Sequence, residues 1–76
     1  MMFKIRLENA KDAEEFVEAA AKCGGNIDLQ SGVVYLDGKS LLGVLAMGVK
    51  KEVNVHVSDG YVDPSFEKVV QKFQIA

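Results

Sequence analysis

The apolar and polar residues of this chain alternate between two periods, and each change of period marks an element. Phe3-Lys4-Ile5-Arg6-Leu7 alternates apolar with charged residues, the period-two pattern of a half-buried strand. Ala10, Ala13, Phe16, Val17 and Ala20 then fall at helical spacing and predict one buried helix face. Asn9 precedes them as an N-cap, and Asp12 in the first turn opposes the positive end of the helix dipole. Glu14, Glu15, Glu18 and Lys22 make the opposite, solvated face. Gly24-Gly25 is expected to end the helix in a left-handed C-cap.

Alternation returns in Asn26-Ile27-Asp28-Leu29-Gln30 and, less cleanly, in Val33-Val34-Tyr35-Leu36. Ser31-Gly32 between them is a tight-turn signal, so the two segments read as a hairpin. Asp37-Gly38 is the next turn, and a short helix follows from Ser40 to about Met47, closed by Gly48. Glu52-Val53-Asn54-Val55-His56-Val57 is the cleanest strand, with valines on one face and Asn54 and His56 on the other. Asp63-Pro64 opens a last helix, Asp63 as cap and Pro64 where its missing N–H costs nothing. Phe66, Val69, Val70 and Phe73 give that helix its apolar stripe.

The order is strand, helix, strand, strand, helix, strand, helix, with no repeat and no linker, which predicts one domain over residues 1–76. Strands apolar on one face and polar on the other predict an antiparallel sheet covered by helices on one side, an α+β fold. Element order leaves the strand order open.

The short helix is unusual in being apolar almost all the way round. Leu41, Val44, Leu45 and Gly48 share a face by helical geometry, while Leu42 and Met47 point elsewhere. So short a helix cannot bury all of these residues. Part of the set Leu41, Leu42, Leu45 and Met47 is therefore expected to stay exposed as a protein interface.

Composition narrows the function classes. The 76 residues carry nine basic and eleven acidic side chains, a formal charge of −2, and no basic cluster beyond Lys50-Lys51. Nucleic-acid binding needs a basic face to neutralise phosphates, so that class is set aside. No apolar run reaches the roughly eighteen residues of a membrane span. Residues 1–5 are too few and too polar for a signal peptide. The single cysteine, Cys23, forms no internal disulfide, and the expected location is cytoplasmic.

Candidate chemistry is sparse. Cys23 has no companions at metal-ligand spacing and sits at a helix C-terminus, which opposes a thiolate, so it reads as inert packing. His56, the only histidine, is expected to face solvent from the polar side of its strand, with no arginine nearby. Asp63 and Glu67 read as a cap and a solvated first turn. No catalytic set, phosphate-binding glycine loop or metal cluster appears, so neither an enzyme nor a cofactor is expected.

Lys39-Ser40-Leu41-Leu42-Gly43-Val44, continued by Leu45-Ala46-Met47-Gly48-Val49, resembles the second-helix signature of HPr, the small phosphocarrier of the sugar phosphotransferase system. Phe3-Lys4-Ile5 and the hairpin from Asp28 to Leu36 fit the same family, so the likeness spans essentially the whole chain. It implies an HPr-like open-faced sandwich: four antiparallel strands with three helices on one face, ordered βαββαβα. It also implies a regulatory phosphorylation site at Ser40, served by an ATP-dependent kinase, beside its ordinary role as an N-cap.

One feature departs from the family. HPr proteins carry a Gly-x-His-x-Arg-Pro-Ala loop before the first helix, whose histidine accepts phosphate from enzyme I. Here the corresponding place reads Glu8-Asn9-Ala10-Lys11-Asp12-Ala13, with no histidine, arginine or proline. The expected function is a non-catalytic regulatory or interaction protein linked to the phosphotransferase system, docking through Leu41, Leu42, Leu45 and Met47 and switched at Ser40. Its partner would be a phosphotransferase-system protein or a transcriptional regulator, with a serine kinase acting on it. The alternatives are a phosphocarrier with a non-standard acceptor, or an unrelated binding module on the same fold. Oligomeric state stays open, since an apolar helix patch serves a homodimer equally well.

Overall fold

The computed structural model describes residues 2–75; Met1 and Ala76, the ends of the expected 1–76 unit, lie outside the described residues. The elements are β1 (Met2–Arg6), α1 (Ala10–Ala20), β2 (Ile27–Ser31), β3 (Val34–Asp37), α2 (Leu41–Met47), β4 (Glu52–Val57) and α3 (Pro64–Phe73). The strands form one antiparallel sheet in the order β1-β4-β2-β3. This is the HPr-like open-faced sandwich.

Strand alternation decides which face is covered. Ile5 and Leu7, Val53 and Val55, and Ile27 and Leu29 are all buried, with each strand's alternate residues turned to the open side. Phe16, Ala13 and Ala20 of α1, Val44 of α2, and Phe66, Val69, Val70 and Phe73 of α3 close over them. Phe16 and Phe66 meet edge to face, ring centroids 5.6 Å apart, and join α1 to α3 across the sheet.

Several boundaries differ from the expected ones for identifiable reasons. Ala10 is exposed, and the buried face of α1 instead includes Ala19, with Cys23 just beyond its end. The helix stops at Ala20, and Gly24-Gly25 forms no left-handed cap; the C-cap is Ala21, in right-handed helical geometry. The two glycines are needed for close approach. Gly24 N–H donates to Tyr61 C=O at 2.7 Å, and a Cβ on Gly25 would lie 2.5 Å from the Asp59 carbonyl oxygen.

The hairpin turn falls one residue later than Ser31-Gly32. Ser31 pairs with Val34, leaving Gly32 and Val33 as the two-residue loop, with Gly32 at φ +62°. Glycine holds that left-handed conformation without strain, and Val33 is expelled from the strand into solvent.

Candidate functional site

The α2 region is built from the Lys39-Ser40 dipeptide outward. Ser40 is the N-cap: its backbone is extended, and its Oγ accepts the Gly43 N–H at 3.2 Å. Its own N–H donates to the Asp37 carbonyl at 3.1 Å. Lys39 reaches across to the other helix, where its Nζ donates to the Cys23 carbonyl at 2.8 Å, just past the end of α1. Both signature residues therefore have structural work in placing α2.

The apolar residues of α2 divide as its length requires. Val44 is buried, and Leu45 packs against the core while keeping part of its surface. Leu42 is 80% exposed, and Leu41 and Met47 are 37% and 39% exposed. Leu41, Leu42 and Met47 thus lie at the surface of one helix, with Leu45 only half-presented. Gly43 sits on the β3 side of α2: a Cβ there would lie 3.9 Å from Leu36 Cδ1.

The N-terminus of α1 is capped by local side chains. Asn9 Oδ1 accepts the Asp12 N–H at 2.9 Å, and the Asp12 carboxylate reaches back to accept the Glu8 N–H at 3.0 Å. This is a capping box displaced by one residue. Glu8 is held in turn by an ion pair with Arg6. Two carboxylates therefore stand where the positive end of the helix would otherwise receive an anion.

His56 does not stand alone in solvent as expected. It is half-buried on the open face of the sheet, its Nε2 in a 2.7 Å hydrogen bond with Gln30 Oε1 and its ring tilted against Tyr35 at 5.8 Å. β4 is a central strand, so neighbours crowd it from both sides. The sheet separates His56 from α1 and α2. Cys23 is buried and free. Among the described residues, no group of three or more His, Cys, Asp or Glu side chains gathers to hold a metal ion. No helix among them is long and apolar enough to cross a membrane.

Asp63 caps α3 as expected but does more than the sequence indicated. One carboxylate oxygen accepts both the Ser65 N–H at 2.9 Å and the Ser65 hydroxyl at 2.5 Å. The other accepts the Tyr61 hydroxyl at 3.1 Å. The Ser65 bonds lower the Asp63 pKa, and the bond to Asp63 raises that of Tyr61. An aromatic four residues before a helical Ser was the only available signal for this network.

Fold and surface together define a small, helix-on-sheet sandwich with a partly exposed apolar helix, the class of the phosphotransferase-system carrier domains. Residues 8–74 match the family model described as the PTS HPr component phosphorylation site, and the chain belongs to the HPr family. No curated protein matches the chain. The protein is thus phosphocarrier-like and associated with the phosphotransferase system, in a family that acts through other proteins of that system and consists of carriers, not catalysts.

Proposed function

We propose that this chain is a regulatory, non-catalytic HPr-family protein that does not carry phosphate on histidine. It docks to a protein partner through the exposed part of α2 and is switched by phosphorylation at Ser40. The observation that carries this reading is the locally capped start of α1. The family's phosphocarrier chemistry needs an imidazole nucleophile beside open helix amides and an arginine. At this place Asn9 takes the Asp12 N–H, Asp12 takes the Glu8 N–H just ahead of the helix, and the Glu8 and Asp12 carboxylates repel an incoming phosphoryl group. Arg6 is already paired to Glu8. His56, on the far side of the sheet, is engaged by Gln30.

Ser40 supports the regulatory half of the reading. As the N-cap it directly precedes Leu41 and Leu42, the exposed start of α2. A phosphate there adds about two negative charges at pH 7 beside an apolar docking surface and so changes which partner the surface accepts. The partner is a phosphotransferase-system protein or a regulator that reads its state.

Two phosphorylation reactions followed by intact-mass and site mapping test the proposal. With enzyme I and phosphoenolpyruvate, no phosphoryl group is expected on the chain. With ATP and the system's serine kinase, one is expected at Ser40 and none in Ser40→Ala. Transfer from enzyme I onto His56 or any other residue would overturn the non-carrier reading, and an unmodified Ser40 would overturn the switch.

A further inference from the structure

The two edges of the sheet are treated differently. Along β1, the C-terminal segment covers the edge: the Ile75 N–H donates to the Lys4 carbonyl at 3.0 Å, and Gln74 bridges to Ile5. Nothing among the described residues covers β3 in the same way. This strand has no lysine, proline or bulge, the usual devices that blunt an edge, and only its shortness and the Asp37 charge at its end limit it.

The hairpin geometry identifies which backbone groups of β3 point outward. In a two-residue hairpin the residues flanking the loop exchange both hydrogen bonds, so Val34 and Leu36 turn inward to Ser31 and Leu29. The Gly38 N–H donating to Ile27 C=O at 2.6 Å continues the same alternation. Tyr35 and Asp37 therefore direct their N–H and C=O groups away from the sheet. The Asp37 carbonyl is taken by Ser40 N–H, while both Tyr35 groups face solvent. The side chains around them are apolar and open: Val33 is 94% exposed, Tyr35 61% and Val34 37%.

We propose that β3 pairs with β3 of a second copy of this chain, antiparallel about a two-fold axis at Tyr35, joining two sheets into one of eight strands. The pairing is self-complementary. Each Tyr35 N–H meets the other copy's Tyr35 carbonyl, and the two rings become a cross-strand pair on the open face. On the helix side, Val34 of one copy stands opposite Leu36 of the other. Charge selects this register. Asp37 is the only charge in β3, and centring on Tyr35 sends the two Asp37 side chains to opposite ends, each beside a Val33. A four-residue edge covers well under the about 800 Å² per partner of a standard stable interface, so the dimer is weak and dissociates on dilution. It leaves the exposed side of α2 free and does not depend on the regulatory reading.

Sedimentation velocity and backbone-amide NMR over a wide concentration series test it. Association is expected as concentration approaches millimolar, with concentration-dependent amide shifts centred on residues 32–38. Tyr35→Lys places two like charges at the axis. Tyr35→Pro removes only the outward N–H, a change tolerated on an edge strand whose N–H faces solvent. Both variants should stay monomeric at concentrations where the parent associates, with the fold checked by circular dichroism, whereas Leu42→Ser on α2 should associate like the parent. No association up to millimolar protein, association surviving in both Tyr35 variants, or its loss in Leu42→Ser would each overturn the proposal.

Discussion

Ser40 is proposed as a switch but is certainly a cap, and the two roles must be separated before any variant is interpreted. α2 has seven residues, too few to hold a helix without tertiary contacts and a good cap. Ser40→Ala deletes the oxygen that accepts the Gly43 N–H at 3.2 Å and leaves that donor to partial solvation. Loss of an N-cap costs about 1 kcal/mol. A domain of this length has a total stability of roughly 4–11 kcal/mol, so the loss is a sizeable share. It should lower Tm by about 4–8 °C. Ser40→Asp keeps an acceptor oxygen and adds a negative charge to a first turn that has no acidic residue. The dipole term of about 0.3–1 kcal/mol then offsets what the changed geometry loses.

The expected order of stability is Ser40→Asp equal to or above the parent, and Ser40→Ala clearly below. Urea unfolding followed by far-ultraviolet circular dichroism measures it, with the slope unchanged if the compactness of both states is unchanged. Ser40→Ala as stable as the parent, or Ser40→Asp as weak as Ser40→Ala, would refute the capping argument. The consequence for function is direct. Ser40→Ala should be compared with Ser40→Asp well below both melting points, where loss of the cap leaves each population folded.

Two further outcomes follow from contacts away from α2. Gly60 has φ +143°, and a Cβ on it would lie 2.7 Å from the Gly25 nitrogen, so Gly60→Ala combines backbone strain with collision between two main chains. It should destabilise by at least about 1–3 kcal/mol, read as a drop in urea midpoint, whereas Gly32→Ala meets nothing within 4 Å and should cost less, through φ alone. Because Asp63 has a lowered folded pKa, its contribution is present above the unfolded value of about 3.9 and disappears as pH falls through the folded value. Asp63→Asn should flatten that acid limb of the stability–pH curve; an unchanged limb would mean that the Ser65 bonds do not hold in solution.

How far the sequence revealed the fold depended on whether a signal was local. The periodicities of Phe3–Leu7 and Glu52–Val57, and the Asp63-Pro64 start followed by the Phe66–Phe73 stripe, located β1, β4 and α3 to within a residue, since each side chain's burial follows from its own strand or helix. Ser40, Asn9 and Asp63 were legible as caps for the same reason. The errors came where a distant partner decides. Gly24 and Gly25 look like a helix stop, yet their smallness is required by Tyr61 and Asp59, more than thirty residues away. His56 looked solitary until β2 and β3 brought Gln30 and Tyr35 beside it. Leu45 and Leu42, three residues apart, differ in exposure because α1 and the sheet approach α2 from one side only.

The start of α1 shows how few residues separate a capped helix end from an anion site. Every helix leaves its first amides without intrahelical partners, and something must satisfy them. Here Asn9 takes the Asp12 N–H, and the Asp12 carboxylate, folded back, takes the Glu8 N–H. Both bonds stabilise the resting fold, and the first also removes a first-turn donor that a phosphoryl group would use. The acidic side chains add a repulsion that grows where the helix dipole is strongest. Reversing this arrangement therefore requires more than a nucleophile. Placing histidine at position 9 would still face the Asp12 carboxylate and would forfeit the cap, losing stability without creating an open site.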